Sequence, residues 1–242
     1  MQIKVLHLYY DLLNLYGEYG NVNILVSHLE DQGCDVILDK KTMGDSFDLN
    51  YYDFIYCGSG IESHIKMALE DLKNHKDELI QYINNNKVAL FTGSSLEMLG
   101  KCIAESDSKV DGLGVFDYEV QRLKDRKTDD VIFSSEVFEK EVVGFINKQA
   151  NIINNENHLF TIKFGIGENE DKKYEGAYKN NLFATYVIGP LLVRNPHVLK
   201  IFVEKIIHSV DANYEIKTID YKNEEDGYNL VLNELSARIT HK

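Results

Sequence analysis

At 242 residues, 44% apolar and 27% charged, the chain can bury a sizeable core and has an ordinary globular composition, which excludes disordered and fibrous classes. A net charge of −13 argues against nucleic acid or an anionic membrane as partner, because both are bound through clustered Lys and Arg. The three cysteines, Cys34, Cys57 and Cys102, have no CxxC spacing and no nearby His pair, so no metal, cofactor or disulfide framework is expected. A reduced cytoplasmic setting follows. The N-terminal MQIKVLHLYY is too short and polar for a signal peptide, and no apolar run approaches the roughly 18 residues of a spanning helix, so no membrane insertion is expected.

Residues 3–9 predict a strand, followed by the Gly-punctuated LLNLYGEYGN. A helix is expected over 21–32, with Ile24, Leu25, His28 and Leu29 on one face and Gly33 as its stop. Short apolar strands at 34–38 and 52–56 then begin a parallel sheet. Cys57-Gly58-Ser59-Gly60 lies between the second of these and a helical run over 62–85 with a break near Asn74. Small residues at a strand end before a helix can turn backbone N–H groups toward an anion or oxyanion. A plain Gly-rich turn is the other reading.

Residues 87–100, KVALFTGSSLEMLG, predict a buried strand (88–91), a tight turn (92–95) and a helix start carrying Leu96 and Leu99. In α/β hydrolytic enzymes such a turn holds the nucleophile. Here it offers Gly and Ser.

Beyond residue 111, short strands (VIFSSEVF, EVVGFIN) alternate with charged runs such as QRLKDRKTDD. An Asn-rich turn is expected at 151–157, a strand at 161–166 and a solvated charged loop at 168–173. The apolar run 181–193 must end or bend at Gly189-Pro190, since Pro cannot donate to a ladder. Asn195 followed by Pro196 predicts an N-cap and N1 position, then a helix over 198–210 and a last helix near 225–238. No repeat or linker divides the chain, so one domain over 1–242 is expected.

Several of these pieces, in this order, carry a resemblance. They are YYDLLNLYGEYGN (9–21), the Gly58-Ser59-Gly60 loop, EMLG (97–100), GVFDYEVQR (114–122), GFIN (144–147) and YVIGPLLVRNP (186–196). Together they resemble class I glutamine amidotransferase domains of the cobyric-acid-synthase-like type, and within it the glutaminase subunits that serve a Mur-ligase-like, lipid-II-amidating synthetase. The resemblance implies a flavodoxin-like α/β fold with a mostly parallel sheet, and a Cys-His-acid triad that releases ammonia from glutamine.

Carried onto this chain, the nucleophile position is Gly93, the base position Ile188 and the acid position Glu18; Lys148 replaces a further His. Glycine cannot form an acyl-enzyme and isoleucine cannot move a proton. The resemblance therefore implies a subunit without glutaminase activity that binds or regulates a Mur-ligase-like partner. Three alternatives stay open: Ser94 as a displaced nucleophile, Cys57 as a reactive thiol at a helix N-terminus, and retention of glutamine or a related amino acid without hydrolysis. In the last, the loops carrying Gly58, Ser59, Gly60, Ser94 and Ser95 supply N–H groups, and Arg122 or Arg126 meets a carboxylate.

Overall fold

The computed structural model describes residues 1–240. Strand β1 (Gln2–Leu8) buries Ile3, Val5, Leu6 and Leu8, a near-continuous apolar run of the kind a sheet covered on both faces requires. Helix α1 (Tyr19–Asp31) turns Val22, Leu25, His28 and Leu29 inward. Strands β2 (Asp35–Lys41) and β3 (Phe54–Cys57) come next. The helical run divides into α2 (Glu62–Leu72) and α3 (Lys76–Asn84) across a 3-10 turn at Lys73–His75, where the break near Asn74 was expected.

Strand β4 (Val88–Thr92) is buried throughout. It leads into a 3-10 segment, Gly93–Leu99, and not into the expected α-helix. The carbonyls of that segment are claimed from outside: Leu96 by the Tyr118 hydroxyl, Met98 by the Leu113 N–H, and Leu99 by the N–H groups of Val115 and Phe116. A longer helix would need those acceptors for itself.

In the second half, β5 (Cys102–Ala104) and β6 (Lys109–Asp111) make a short pair. Strand β7 (Glu119–Ser134) then continues through the charged stretch, where separate short strands were expected. It pairs antiparallel with β8 (Val142–Ile153) on either side of an irregularity between Arg122 and Lys127, where the register shifts and Lys124, Asp125 and Arg126 keep their side chains in water. Strand β8 also runs into the expected Asn-rich turn, as far as Ile153. Strand β9 (His158–Phe164) is followed by β10 (Tyr174–Lys179), which was not foreseen.

Strands β11 (Leu182–Thr185) and β12 (Val187–Ile188) stop at Gly189-Pro190, and helices α4 (Leu191–Arg194) and α5 (Pro196–Val210) come after them. Asn195 sits at the expected cap position, but its side chain does not cap. Its Oδ1 accepts from the Val143 N–H at 2.9 Å and its Nδ2 donates to the Val143 and Leu191 carbonyls, pinning the α4–α5 junction to β8. Helix α6 (Lys222–Thr240) packs Tyr228 and Leu235 on Ile132 of β7 and Val143 of β8.

The fold is α/β, as expected, with a mixed sheet in the order β12-β8-β7-β9-β10-β11-β4-β3-β1-β2. The strands from β11 to β2 run parallel; those from β10 to β12 are joined by antiparallel pairings. The register aligns Leu8 with Cys57, Cys57 with Phe91, and Thr92 with Thr185. Four parallel strands therefore end at one level, and ligands of open α/β sheets bind outside such ends. Among the described residues no helix is long and apolar enough to cross a membrane.

Candidate functional site

At the end of β4 the chain turns through Gly93, whose φ of +61° is a conformation that side-chain-bearing residues rarely adopt. A Cβ built there would overlap Cβ and Oγ of Ser59 and lie 2.9 Å from Cγ2 of Ile188. The space over the turn belongs to those two residues, both buried.

Ser59 and Ser94 close on each other. Ser59 Oγ lies 3.1 Å from Ser94 Oγ and accepts from the Ser94 N–H at 3.2 Å. Ser94 Oγ accepts from the Gly60 N–H at 3.0 Å and donates to the Gly60 carbonyl at 2.8 Å. Within the loops expected to supply N–H groups, those of Gly60 and Ser94 are thus occupied by serine hydroxyls. Ser95 is turned away, donating to the Cys57 and Thr92 carbonyls. Gly58 fills a steric role, since a Cβ there would overlap the Leu13 carbonyl oxygen.

Glu18 lies behind this turn, fully buried. It accepts from the hydroxyls of Tyr56 (2.9 Å) and Thr92 and from the Gly189 N–H (3.1 Å). Burial raises its pKa, and the bonds from Thr92, Gly189 and Tyr56 oppose the rise. The carboxyl ties the start of α1 to the ends of β3 and β4 and to the turn after Ile188.

Among the described residues no histidine bonds to Ser94, whose hydroxyl meets Ser59 and Gly60. His64 bonds through Nδ1 to the Leu12 carbonyl at 3.1 Å, and His7 packs edge-on against Tyr56 and Tyr10, with a pKa lowered to about 4 by burial and by Lys40. Cys57 is fully buried, and burial pushes its thiol up, away from the thiolate a reactive cysteine needs.

Beside the turn lies a cleft of about 60 Å³, lined by Tyr16, Ser94, Glu97, Arg122, Lys148 and Tyr186 among others. Buried Glu97 accepts from the Tyr186 hydroxyl at 3.3 Å, and its Oε2 lies 2.5 Å from Arg122 Nη1. Burial raises the pKa of Glu97, opposed by Arg122. Arg126 also lines the cleft but is exposed, donating to Asn147 Oδ1 (2.9 Å) and Gln149 Oε1 (3.4 Å). Asn147 in turn donates to the Tyr16 hydroxyl at 3.0 Å, joining the loop before α1 to β8.

The model of the CobB/CobQ-like glutamine amidotransferase domain matches residues 4–196. The chain belongs to this family. Among curated relatives it is 32% identical over 201 residues to the GatD subunit of lipid II isoglutaminyl synthase (glutamine-hydrolyzing) from Streptococcus pneumoniae, covering 81% of this chain and 77% of the relative. The subunit of the same name from Staphylococcus aureus is 28% identical over 226 residues, covering 92% of each chain.

Two solved structures share the fold. A glutamine amidotransferase superposes with TM-score 0.55 at 14% identity, covering 83% of this chain and 98% of its own. The Trypanosoma brucei CTPS glutaminase domain with bound acivicin gives 0.52 at 9%, covering 91% and 98%.

For a glutamine amidotransferase-like chain the arrangement is unusual in chemical content. Gly93, Ile188 and Glu18, the positions assigned from the resemblance, come together at the parallel strand ends. Of the two arginines, only Arg122 is sheltered in the cleft. Sequence reasoning missed the ion pairing of Glu97, the part played by Tyr186, and the filling of the turn by Ser59.

Behind the cleft sits a second cluster that sequence reasoning placed in solvent. Glu168, expected in a solvated loop, is buried; its Oε1 lies 3.2 Å from His158 Nδ1 and its Oε2 accepts from Asn155 at 2.8 Å. Its burial comes from β8 and β10, whose Ile152 and Tyr174 bond to its backbone. Lys148 donates to Asn151 Oδ1 (3.0 Å) and the Glu168 carbonyl (2.7 Å), and Glu175 accepts from Thr185 Oγ1 and the Tyr186 N–H, each at 2.6 Å. Burial raises Glu168 to about 8 and Glu175 to about 7, and lowers Lys148 to about 8.

Proton counts set the sign of the resulting pH dependence. Between the ordinary carboxyl value of 4.5 and about 7 to 8 the folded protein holds protons the unfolded chain has released, so stability falls as pH rises through that window. Lys148 acts oppositely, adding stability from about 8 up to its ordinary 10.5. Urea titrations across this range are expected to show a minimum near pH 8. Glu175→Gln should remove roughly 2 kcal/mol of the fall between pH 5 and 7; an unchanged slope would refute the assignment.

Proposed function

We propose that this chain is a glutamine amidotransferase-like subunit without glutaminase activity, acting as a binding or regulatory partner of a Mur-ligase-like, lipid-II-amidating synthetase. The observation that carries the reading is the filled elbow: Gly93 has no nucleophile, and Ser59 and Ile188 occupy the volume one would need. An acyl transfer at this turn would further require N–H donors at the oxyanion, and those of Gly60 and Ser94 are engaged by Ser94 and Ser59. Family membership and the two GatD relatives support the subunit role. The cysteines, all free and buried, accord with a reducing cytoplasm.

The partner half of the reading is tested by affinity purification of the tagged full-length chain from its own cells, with the co-purifying chains identified by mass. A Mur-ligase-like synthetase in a stoichiometric complex is the expected result. Recovery of the chain alone, with the synthetase left in the flow-through, would overturn it.

A further inference from the structure

The end of the sheet opposite the Gly93 turn holds a groove of different chemistry. The parallel strands start at one level there, Phe54 beside Val88 and Leu182 beside Ala89. The residues just before those strands, Asp53, Lys87 and Asn181, form one wall of the groove. Helix α5 forms the other with Ile201, Glu204, Lys205 and His208, whose spacing of three and four residues puts them on one face. The space between the walls is about 610 Å³, a volume that takes a ligand of metabolite size.

Two half-buried lysines line this space, and among the described residues neither is ion-paired with a carboxylate. Lys87 Nζ donates to the Asn50 and Tyr52 carbonyls at 2.6 and 2.8 Å, and Lys205 Nζ donates to Asn181 Oδ1 at 2.9 Å. An ammonium carries three N–H donors, so one on Lys87 and two on Lys205 remain for a ligand. Burial lowers the pKa of both; Asp53 opposes the fall at Lys87, and no neighbouring acid does so at Lys205. Asn181 Nδ2 donates to the Asn86 carbonyl at 2.7 Å, which ties the support of Lys205 to the residue before Lys87. The two acids of the lining are engaged elsewhere, Asp53 accepting from the Lys4 N–H at 2.8 Å and Glu204 lying 3.9 Å from Lys200.

These donors select a ligand chemistry. No arginine lines the groove, so a planar carboxylate finds no fork there, whereas two ammonium point charges suit a tetrahedral phosphate dianion. The exposed side-chain amides of Asn85 and Asn86 share the lining and offer both donors and acceptors to a hydroxylated body behind the phosphate.

We propose that this groove binds a water-soluble organic phosphate ester, with Lys87 and Lys205 on the phosphate and Asn85 and Asn86 on the body of the ligand. The groove lies at the start of β4 and Gly93 follows its end, so the site holds whether or not the turn is catalytically silent. A phosphorylated lipid headgroup offers the same chemistry, but a net charge of −13 opposes approach to an anionic membrane.

Calorimetry on the purified full-length chain tests this with ribose 5-phosphate, adenosine 5′-monophosphate, inorganic phosphate and succinate. At least one ester is expected to bind with a Kd below roughly 1 mM, about tenfold or more tighter than succinate or inorganic phosphate. Lys205→Gln should weaken that ester about tenfold or more, whereas Lys200→Gln, exposed on the same helix, should change it by less than about threefold. If Lys205→Gln fails to fold, Asn85→Asp sets a carboxylate at an exposed point of the lining and should weaken the ester by about tenfold. Phosphatidylcholine vesicles carrying phosphatidic acid should leave the chain in the supernatant when sedimented.

The proposal is overturned if no ester binds below roughly 1 mM, or if succinate or inorganic phosphate binds as tightly as the better ester. It is equally overturned if affinity survives Lys205→Gln in a folded protein, or survives Asn85→Asp where that variant stands in. A loss on Lys200→Gln as large as on Lys205→Gln would reduce the effect to general charge, and recovery of the chain with the vesicles would assign the groove to a lipid headgroup; either contradicts the proposal.

Discussion

Restoring the two missing residue types, by Gly93→Cys together with Ile188→His, is expected to give a less stable protein with no glutaminase activity. A Cβ at position 93 overlaps Ser59 and must adopt a left-handed backbone at φ +61°. Overpacking costs about 1–3 kcal/mol and the backbone about 1–2 more, so the double variant should lose about 2–5 kcal/mol. For a chain of this size that is a fall of roughly 4–20 °C in Tm. A thiol at the turn would still lack an oxyanion site, because the Gly60 N–H is bonded to Ser94. Adding Ser59→Gly removes the nearest obstacle, and the triple variant is expected to melt above the double. Scanning calorimetry with an ammonia assay decides it; a double variant as stable as the parent would show that the turn is not filled as described.

Glu18→Ala is expected to be still more damaging. The change strands the hydroxyls of Tyr56 and Thr92 and the Gly189 N–H, which all meet on this carboxyl, and it opens a cavity at the junction of four segments. Unpaired buried donors and lost volume together should remove about 3–5 kcal/mol. Glu18→Gln keeps the volume and can re-pair with hydroxyls that reverse their donor direction, so it should lose less than half as much. Chemical denaturation of both variants provides the comparison. If both were neutral, Glu18 would not be the clamp that holds the turn.

The parallel half of the fold was legible because β1, β3 and β4 are apolar runs between recognisable turns and the helix break falls at Asn74, within the polar run Lys73–Lys76. Strand β7 was not legible. Its central ribbon faces water on both sides, which erases the alternation that marks a half-buried strand, and pairing with β8 does the rest. Glu168 was misjudged for the converse reason, as its burial is imposed by β8 and by β10, a strand the sequence pattern does not mark.

At the site, the absence of a side chain at Gly93 and of a proton carrier at Ile188 was visible once the resemblance placed them. The reciprocal bonding of Ser59 with Ser94, across 35 residues, was not. Nor was the pairing of Glu97 with Arg122, since neither position predicts that its partner will point into the same cleft.

Silence of the cleft is tested most directly by the rate of glutamine hydrolysis, measured for the purified chain alone and again in complex with the synthetase that co-purifies with it. Ammonia release at the level of the protein-free blank in both samples is the predicted result. Turnover above blank in either, abolished by Ser94→Ala or by any other single change at the turn, would contradict it.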